Sequence, residues 1–526
     1  MKKIFTKNIF KKRLFPVGLV AVILLTLVLR MWKLDGNSFV ADEFIDLNAS
    51  YGYFKTGQWH AWDFNLETPD EKDFYPARDE RSWIYRWQVA RLFSFFPLNE
   101  FSARLVSVFW GVITVLVIYW SAWIFTRKKT VALLSAFLFA VSVTGIEYDR
   151  KLRMYAMFYP IFLMFSTCLF LFLETFYEWK GKLIKKSANF FGVNWLYLIP
   201  TILAGLLSLH LQLLTVNIVF SLLVYWTTIL FFSYFFQSFP ISRSARWGMS
   251  AFGFSLLVII FFFPEILREL GGTAQFFMDN YGYFGKITRD FQHPLLGVLA
   301  VAAGYWALFS YWKKPKEALW LGSNLLVPFL LTVFIWKRTQ GVQYIFYLQS
   351  FLIILAAAGV VGAGEWLAKN LSIFSAQKII WVFILVGAII LPNYGYFFSG
   401  DTTYDRDNDS VADYRKVFSY LKKNRKHQEA LITRNFRNYY YRGWQASVLD
   451  FGGERADHDL KMEEIRFFVC DYPAGWVVIF DNDWNYIKKE ARRFVEANLE
   501  KVDHSSIRGV AEVYHWDETN QRKICQ

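Results

Sequence analysis

Long apolar runs, separated by short charged stretches, occupy the chain from residue 14 to residue 397. They lie at 14–29, 101–125, 131–146, 154–173, 195–209, 211–232, 248–264, 295–311, 319–336, 344–363 and 379–397, with the division near His210 the least sharply marked. A helix needs about 17–25 such residues to cross a bilayer, and slightly shorter runs cross with help from their flanks. The pattern predicts a polytopic α-helical membrane protein with about eleven transmembrane helices. Between the first two runs, residues 31–100 form a long polar loop. It ends in a stretch, 81–96, whose Trp and Phe residues alternate with Arg81, Arg86 and Arg91. That stretch reads as an amphipathic helix lying in the membrane interface. Beyond residue 397 the period changes. Helical spacing at 414–423 and 486–499 is interleaved with strand-like runs at 430–432, 476–480 and 510–516, which predicts a small α/β domain over 398–526.

Composition agrees with the pattern. Of 526 residues, 55% are hydrophobic and only 19% charged, which is below the quarter usual for soluble domains. The formal net charge of +14 implies anionic lipid headgroups as neighbours; no nucleic-acid motif competes with that reading. Lysines and Arg13 precede the first run and no small-residue cleavage site follows it, so residues 1–13 read as a cytoplasmic tail of an uncleaved anchor. With that end inside, the alternate loops carry the basic clusters that the positive-inside rule asks for, and the odd number of spans places 398–526 outside. Of the three cysteines, Cys168 lies in an apolar run and reads as core. Cys470 and Cys525 fall in the tail, where a bond between them is open if the compartment is oxidising.

The candidate chemistry sits at the outer ends of the spans. Asp42-Glu43 follows the first, with apolar Phe44, Ile45 and Leu47 behind it; its bland reading is a helix start with Asp42 as N-cap. Two adjacent carboxylates do not ionise independently, so one is expected to rise toward the range of a useful base. Arg150, Lys151 and Arg153, and later Lys337 and Arg338, are basic residues on the side where the rule disfavours them, which suits an anion site. Arg104 reads as a residue snorkelling from a span end. Carboxylates that activate an acceptor, beside cations that hold a leaving phosphate, suit group transfer from a lipid-linked phosphate. A transporter or flippase of lipid-linked glycans is the alternative, but its charges belong within the spans, which here are nearly uncharged.

Three stretches carry a family resemblance. They are Asp42-Glu43, the segment Asn99-Glu100-Phe101-Ser102-Ala103-Arg104-Leu105-Val106-Ser107, and Arg150-Lys151-Leu152-Arg153-Met154-Tyr155-Ala156. With the order of spans over 14–400, they resemble the GT-C glycosyltransferases, and within them the protein O-mannosyltransferases and the bacterial lipid A aminoarabinose transferases. Leu207-Ser208-Leu209-His210 is similar, more weakly, to a His-containing segment of that family. The resemblance implies a GT-C-type transmembrane domain over 14–397. It also implies a hexosyl- or pentosyltransferase that moves a sugar, with inversion, from a polyprenyl-phosphate donor to a lipid, glycan or protein acceptor on the extracytoplasmic face of the cell membrane. It maps the catalytic role to Asp42, with Glu43 beside it, and the donor phosphate to Arg150, Arg153 and Arg338. A divalent metal is left open, with Glu43 and His210 as candidate ligands. The sequence departs from the family at Arg81-Ser82-Trp83-Ile84-Tyr85, where members carry a Pro-containing segment, and at Gln343-Tyr344, where they carry a basic residue before the Tyr.

Overall fold

The structure is a computed structural model. It describes residues 2–70, 82–177, 181–235, 243–274, 281–287, 294–336, 341–370, 376–392, 412–426, 429–452, 459–480, 483–507 and 510–526. The chain divides into two compact units. The first comprises Met1–Trp32, Ser107–Arg150 and Met154–Phe398; the second comprises Lys33–Val106, Lys151–Arg153 and Ser399–Gln526.

The first unit is helical. Among the described residues six helices are long and apolar enough to cross a bilayer: Glu100–Thr126, Tyr155–Glu174, Leu213–Phe235, Arg243–Phe262, Pro315–Phe334 and Phe346–Asn370. Two further pairs pass together but are bent, by 62° between Lys129–Ala140 and Val143–Asp149 and by 92° between Leu183–Phe191 and Trp195–Leu211. Phe15–Met31, Leu295–Tyr311 and Lys378–Ile390 are apolar and shorter. Each predicted run falls largely on one of these helices, but length and apolarity support six spans, or eight with the bent pairs, where the hydropathy pattern suggested about eleven. The difference lies in the three shorter helices, which are apolar but fall at or below the lower end of the length a span needs.

Two arginines close helix ends within this unit. The Lys2–Met31 helix leaves its last carbonyls without helical partners. Arg150 fills that need: its Nη1 donates to the carbonyls of Leu29, Arg30 and Trp32 at 3.4, 3.0 and 2.6 Å. A cation at a helix C-terminus is also favoured by the macrodipole. Arg30 in turn donates to the Ala140 carbonyl at 3.0 Å, where the Lys129–Ala140 helix stops, and to Asp149 Oδ2 at 2.7 Å. Ser142 caps the next helix, accepting from the Gly145 N–H. Position 111 must be glycine here, because a Cβ would come within 2.4 Å of Asp149 Oδ2.

The second unit contains all the described strands. β1 (Trp62–Asp63) and β2 (Thr68–Pro69) form a small antiparallel pair. β3 (Ala430–Ile432), β4 (Val448–Leu449), β5 (Gly475–Phe480), β6 (Glu500–Lys501) and β7 (Ala511–Trp516) form one sheet in the order β4-β3-β5-β7-β6. β3 runs parallel to both of its neighbours; β7 is antiparallel to β5 and β6. β5 is buried along its whole length, as expected of a central strand with the unbroken apolar sequence Trp476-Val477-Val478-Ile479-Phe480. The helices Met462–Asp471 and Lys489–Asn498 cover one face with Ile465, Val469, Ala491 and Val495. A disulfide joins Cys470 to Cys525 across 55 residues of sequence. A loop of that length contributes about 4 kcal/mol in the chain-entropy picture.

Candidate active site

The Ala41–Thr56 helix begins after extended Val40 and ends at Gly57, whose φ of 75° is the left-handed conformation that glycine tolerates best. Its first turn carries Asp42 and Glu43, and Asp46 follows one turn after Asp42, so the two aspartates share a face. The three carboxylates are treated very differently. Glu43 is fully buried and Asp46 is 1% exposed, whereas the side chain of Asp42 is 60% exposed.

Glu43 is held from all sides. Arg104 Nε and Nη2 donate to its two oxygens at 2.9 and 2.8 Å, a bidentate pair. The Leu152 N–H donates to Oε1 at 2.7 Å and the Val40 N–H to Oε2 at 2.9 Å. Glu43, and not Asp42, therefore satisfies the open N-terminus of the helix. Burial works to raise the Glu43 carboxyl, but the Arg104 charge and these hydrogen bonds hold it below the usual carboxylate range. The expected rise toward base strength is not found at Glu43. With both oxygens taken, its candidacy as a metal ligand does not fit either. His210 lies in the first unit, near the end of the Leu198–Leu211 helix. Among the described residues no group of three or more His, Cys, Asp or Glu side chains is gathered closely enough to hold an ion.

Arg104 does not snorkel. It is buried, and its remaining donors reach the carbonyls of Leu34, Asn37 and Ser38 at 2.9–3.1 Å, with its guanidinium 5.2 Å from the Phe39 ring centre. One side chain thus fixes both the segment entering the helix and the carboxylate in its first turn. Beneath it lies an aromatic cluster. Phe44 meets Phe39, Tyr414, Phe436 and Tyr440 edge to face, at centroid distances of 5.7–6.0 Å. Such contacts add about 0.5–1.5 kcal/mol each beyond burial. Phe44 turns into this cluster and leaves Asp42 open. Tyr440 donates to Glu100 at 2.8 Å, and Arg415 pairs with the same carboxylate at 2.6 Å. Burial, reinforced by the Glu100 charge, pushes the Tyr440 hydroxyl well above its ordinary range.

Asp46 is shared by two arginines. Arg86 Nε donates to Oδ1 at 2.7 Å and Arg153 Nη1 to Oδ2 at 2.9 Å. Arg86 belongs to the Trp83–Leu92 helix, the stretch expected to lie in the interface. Trp83 and Trp87 on that helix are exposed, but Arg86 turns inward and is 3% exposed. Arg153 also donates to the Asp42 carbonyl at 2.9 Å, and its Nη2 stands 3.9 Å from Asp42 Oδ2. Asp42 is thus the one carboxylate of the three that faces solvent, with a fixed guanidinium beside it. The arrangement can hold an acceptor hydroxyl or amine at an exposed carboxylate and keep a positive charge within reach of a phosphate.

The expected phosphate ligands separate. Arg153 is in this cluster; Arg150 caps a helix in the first unit; Arg338, with Lys337, lies outside the described residues. The residues that sequence reasoning passed over are Asp46, Arg86 and Arg104. Two of them had a signal: the four-residue spacing of Asp42 and Asp46, and the position of Arg104 inside a segment already quoted for the family resemblance; Arg86 had none.

No family model matches the sequence, and no curated protein matches it. Solved structures do match. ArnT from Cupriavidus metallidurans, bound to undecaprenyl phosphate, superposes with a TM-score of 0.56 at 11% identity, over 94% of this chain and 97% of that one. The Archaeoglobus fulgidus oligosaccharyltransferase in the apo form gives a TM-score of 0.59 at 9% identity, over 94% of this chain and 73% of that one. The archaeal oligosaccharyltransferase AglB from the same organism, in complex with an inhibitory peptide and a dolichol-phosphate, gives 0.54 at 10%, over 89% and 70%. At such low identity the likeness establishes that this chain shares their fold.

Proposed function

We propose that the chain is an integral membrane glycosyltransferase, which takes a sugar from a polyprenyl-phosphate-linked donor on the extracytoplasmic face of the membrane. The observation that carries this reading is the division of labour in the first turns of the Ala41–Thr56 helix. Glu43 and Asp46 are consumed by arginines, while Asp42 stays exposed beside Arg153. The GT-C fold supports the class, since neighbours with that fold were solved with undecaprenyl phosphate and dolichol-phosphate.

In the proposed step Asp42 accepts the proton of the acceptor hydroxyl or amine. The freed electron pair forms the bond to the anomeric carbon from the face opposite the phosphate. The anomeric C–O bond breaks, and the pair departs on the polyprenyl phosphate. A single displacement of this kind inverts the anomeric centre. A phosphate is already a good leaving group, so a cation is of more use to it than a strong general acid. Arg153, fixed at Asp42 by its contacts to the helix, is assigned that role, with Arg338 as the further candidate from the sequence. Arg150 is reassigned to capping. Glu43 and Arg104 act as positioning residues, and no step is given to a metal.

The α/β part of the second unit is proposed to lie outside the cytoplasm. The basic loops support this, and so does the Cys470–Cys525 bond, because disulfides persist in oxidising compartments. The donor class is tested by mass spectrometry of lipids that co-purify with the full-length protein. A polyprenyl monophosphate, free or carrying a sugar, is expected. Recovery of only a diphosphate-linked glycan would replace the proposed donor.

A further inference from the structure

A basic cleft in the first unit is independent of the chemistry above. It has a volume of about 510 Å³ and is lined by Phe190, Arg243, Arg246, Trp247 and Ser250. Among the described residues no acidic side chain lines it. It forms where the Lys182–Phe191 helix packs on the first turns of the Arg243–Phe262 helix. The fit is built. Arg243 Nη1 donates to the Asn189 carbonyl at 2.7 Å and Trp247 Nε1 to the Phe190 carbonyl at 3.2 Å. The rings of Phe190 and Trp247 lie 4.9 Å apart. Gly192 has a φ of 71°, and a Cβ there would come within 2.7 Å of the Arg243 Cβ, so only glycine lets the helix end settle on this arginine.

The surroundings identify the occupant. The Arg243–Phe262 helix is long and apolar enough to cross a bilayer, and its basic residues Arg243 and Arg246 come ahead of its apolar stretch. Only 6% of the residues in its apolar 18-residue window are buried in protein, and Phe254, Leu257 and Phe261 are each more than half exposed. Acyl chains are the cover such a surface needs. Its first turns then lie at headgroup depth. The neighbouring Leu183–Phe191 helix is turned 92° from the helix that follows it, which sets it along the membrane plane if that following helix spans. Arg243 and Arg246, three residues apart, face the same side and offer planar donors suited to a phosphate. Trp247 and Phe190 supply the aromatic surface usual at that depth.

We propose that this cleft binds the phosphodiester headgroup of an anionic bilayer phospholipid, with Arg243 and Arg246 on the phosphate and Phe190 and Trp247 against the glycerol and upper chains. The test uses full-length protein in micelles containing equal amounts of phosphatidylglycerol and phosphatidylcholine, with retained lipid weighed by native mass spectrometry. The wild type should enrich phosphatidylglycerol. The double variant R243Q/R246Q should lower that enrichment by about tenfold or more, as expected of two cations each worth about 1 kcal/mol toward anionic lipid. Ser250→Trp fills the cleft but keeps the charges and should give a similar loss, which preserves the test if the double variant fails to fold. The pair K185Q/K186Q removes charge from the exposed face of the adjacent helix and should leave the enrichment nearly unchanged. Soluble glycerol phosphate should not displace the lipid. Wild-type enrichment in both cleft variants, an equal loss in K185Q/K186Q, or displacement by glycerol phosphate would each overturn the proposal.

Discussion

Two clusters of arginine and carboxylate, one in each unit, show what separates architecture from chemistry. In the first unit, Arg30, Asp149 and Arg150 form a closed account of helix ends: Arg30 binds Asp149 and the Ala140 carbonyl, and Arg150 binds the carbonyls at 29, 30 and 32. All three side chains are buried. In the second unit, Arg104, Arg86 and Arg153 likewise consume Glu43 and Asp46, but Asp42 is left 60% exposed. The residue types are the same in both clusters. The second leaves one carboxylate, Asp42, largely exposed beside Arg153, and the proposed function assigns the chemistry to it. Charge near the membrane boundary is therefore a weak marker of function until its partners are known.

The largest structural effect should come from Arg104. Arg104→Met leaves Glu43 buried without its cation, a change that costs about 3–5 kcal/mol when a buried pair is broken on one side. Unfolding in detergent, followed with a probe on the second unit, should show it. A loss below about 1 kcal/mol would mean that the pair contributes little to holding the helix.

The same pair predicts a pH dependence. The Glu43 carboxyl is held below its ordinary value of 4.5, so its contribution to stability is complete above that pH and is lost as the pH falls through the lower, folded value. Stability of the wild type should fall on acidification. Glu43→Gln removes the titrating group, so its stability should fall less steeply over that window.

A smaller effect separates the two clusters directly. Arg150→Gln weakens a helix cap and should cost about 1–2 kcal/mol of stability while leaving donor affinity unchanged. Arg153→Gln should do the reverse in part. It should lower the transfer rate with donor saturating, because it both positions Asp42 and is assigned to the phosphate. If Arg150→Gln alone weakened donor binding, the phosphate assignment would return to Arg150, one of the three residues that the resemblance implied.

Much of this was legible in the chain. The apolar runs located the helices, and strands were found at 430–432, 475–480 and 511–516, where the sequence predicted them. The strands β4 and β6, two residues each, carry too little pattern to be read. The Asp42-Glu43 pair was legible as a place of interest, but its internal roles were not. Helix periodicity shows that Asp42 and Asp46 share a face; it does not show that Arg86, forty residues on, and Arg153, more than a hundred on, meet one of them. Arg104 was misread for the same reason. A basic residue near a span end usually reaches for water, and only the fold reveals the four acceptor groups, Glu43 and three carbonyls, that hold it. Arg150 and Arg153, adjacent in a basic motif, were read together and belong to different units.

The central claim, that the exposed carboxylate does the chemistry and its buried neighbours hold it there, is tested most directly at Asp42. Asp42→Asn keeps the size and removes the proton acceptor. Single-turnover sugar transfer with saturating donor would be measured beside thermal stability. Transfer should fall by about 10²–10⁴-fold, with unfolding and donor binding close to wild type. Near-normal transfer by the folded variant would contradict it.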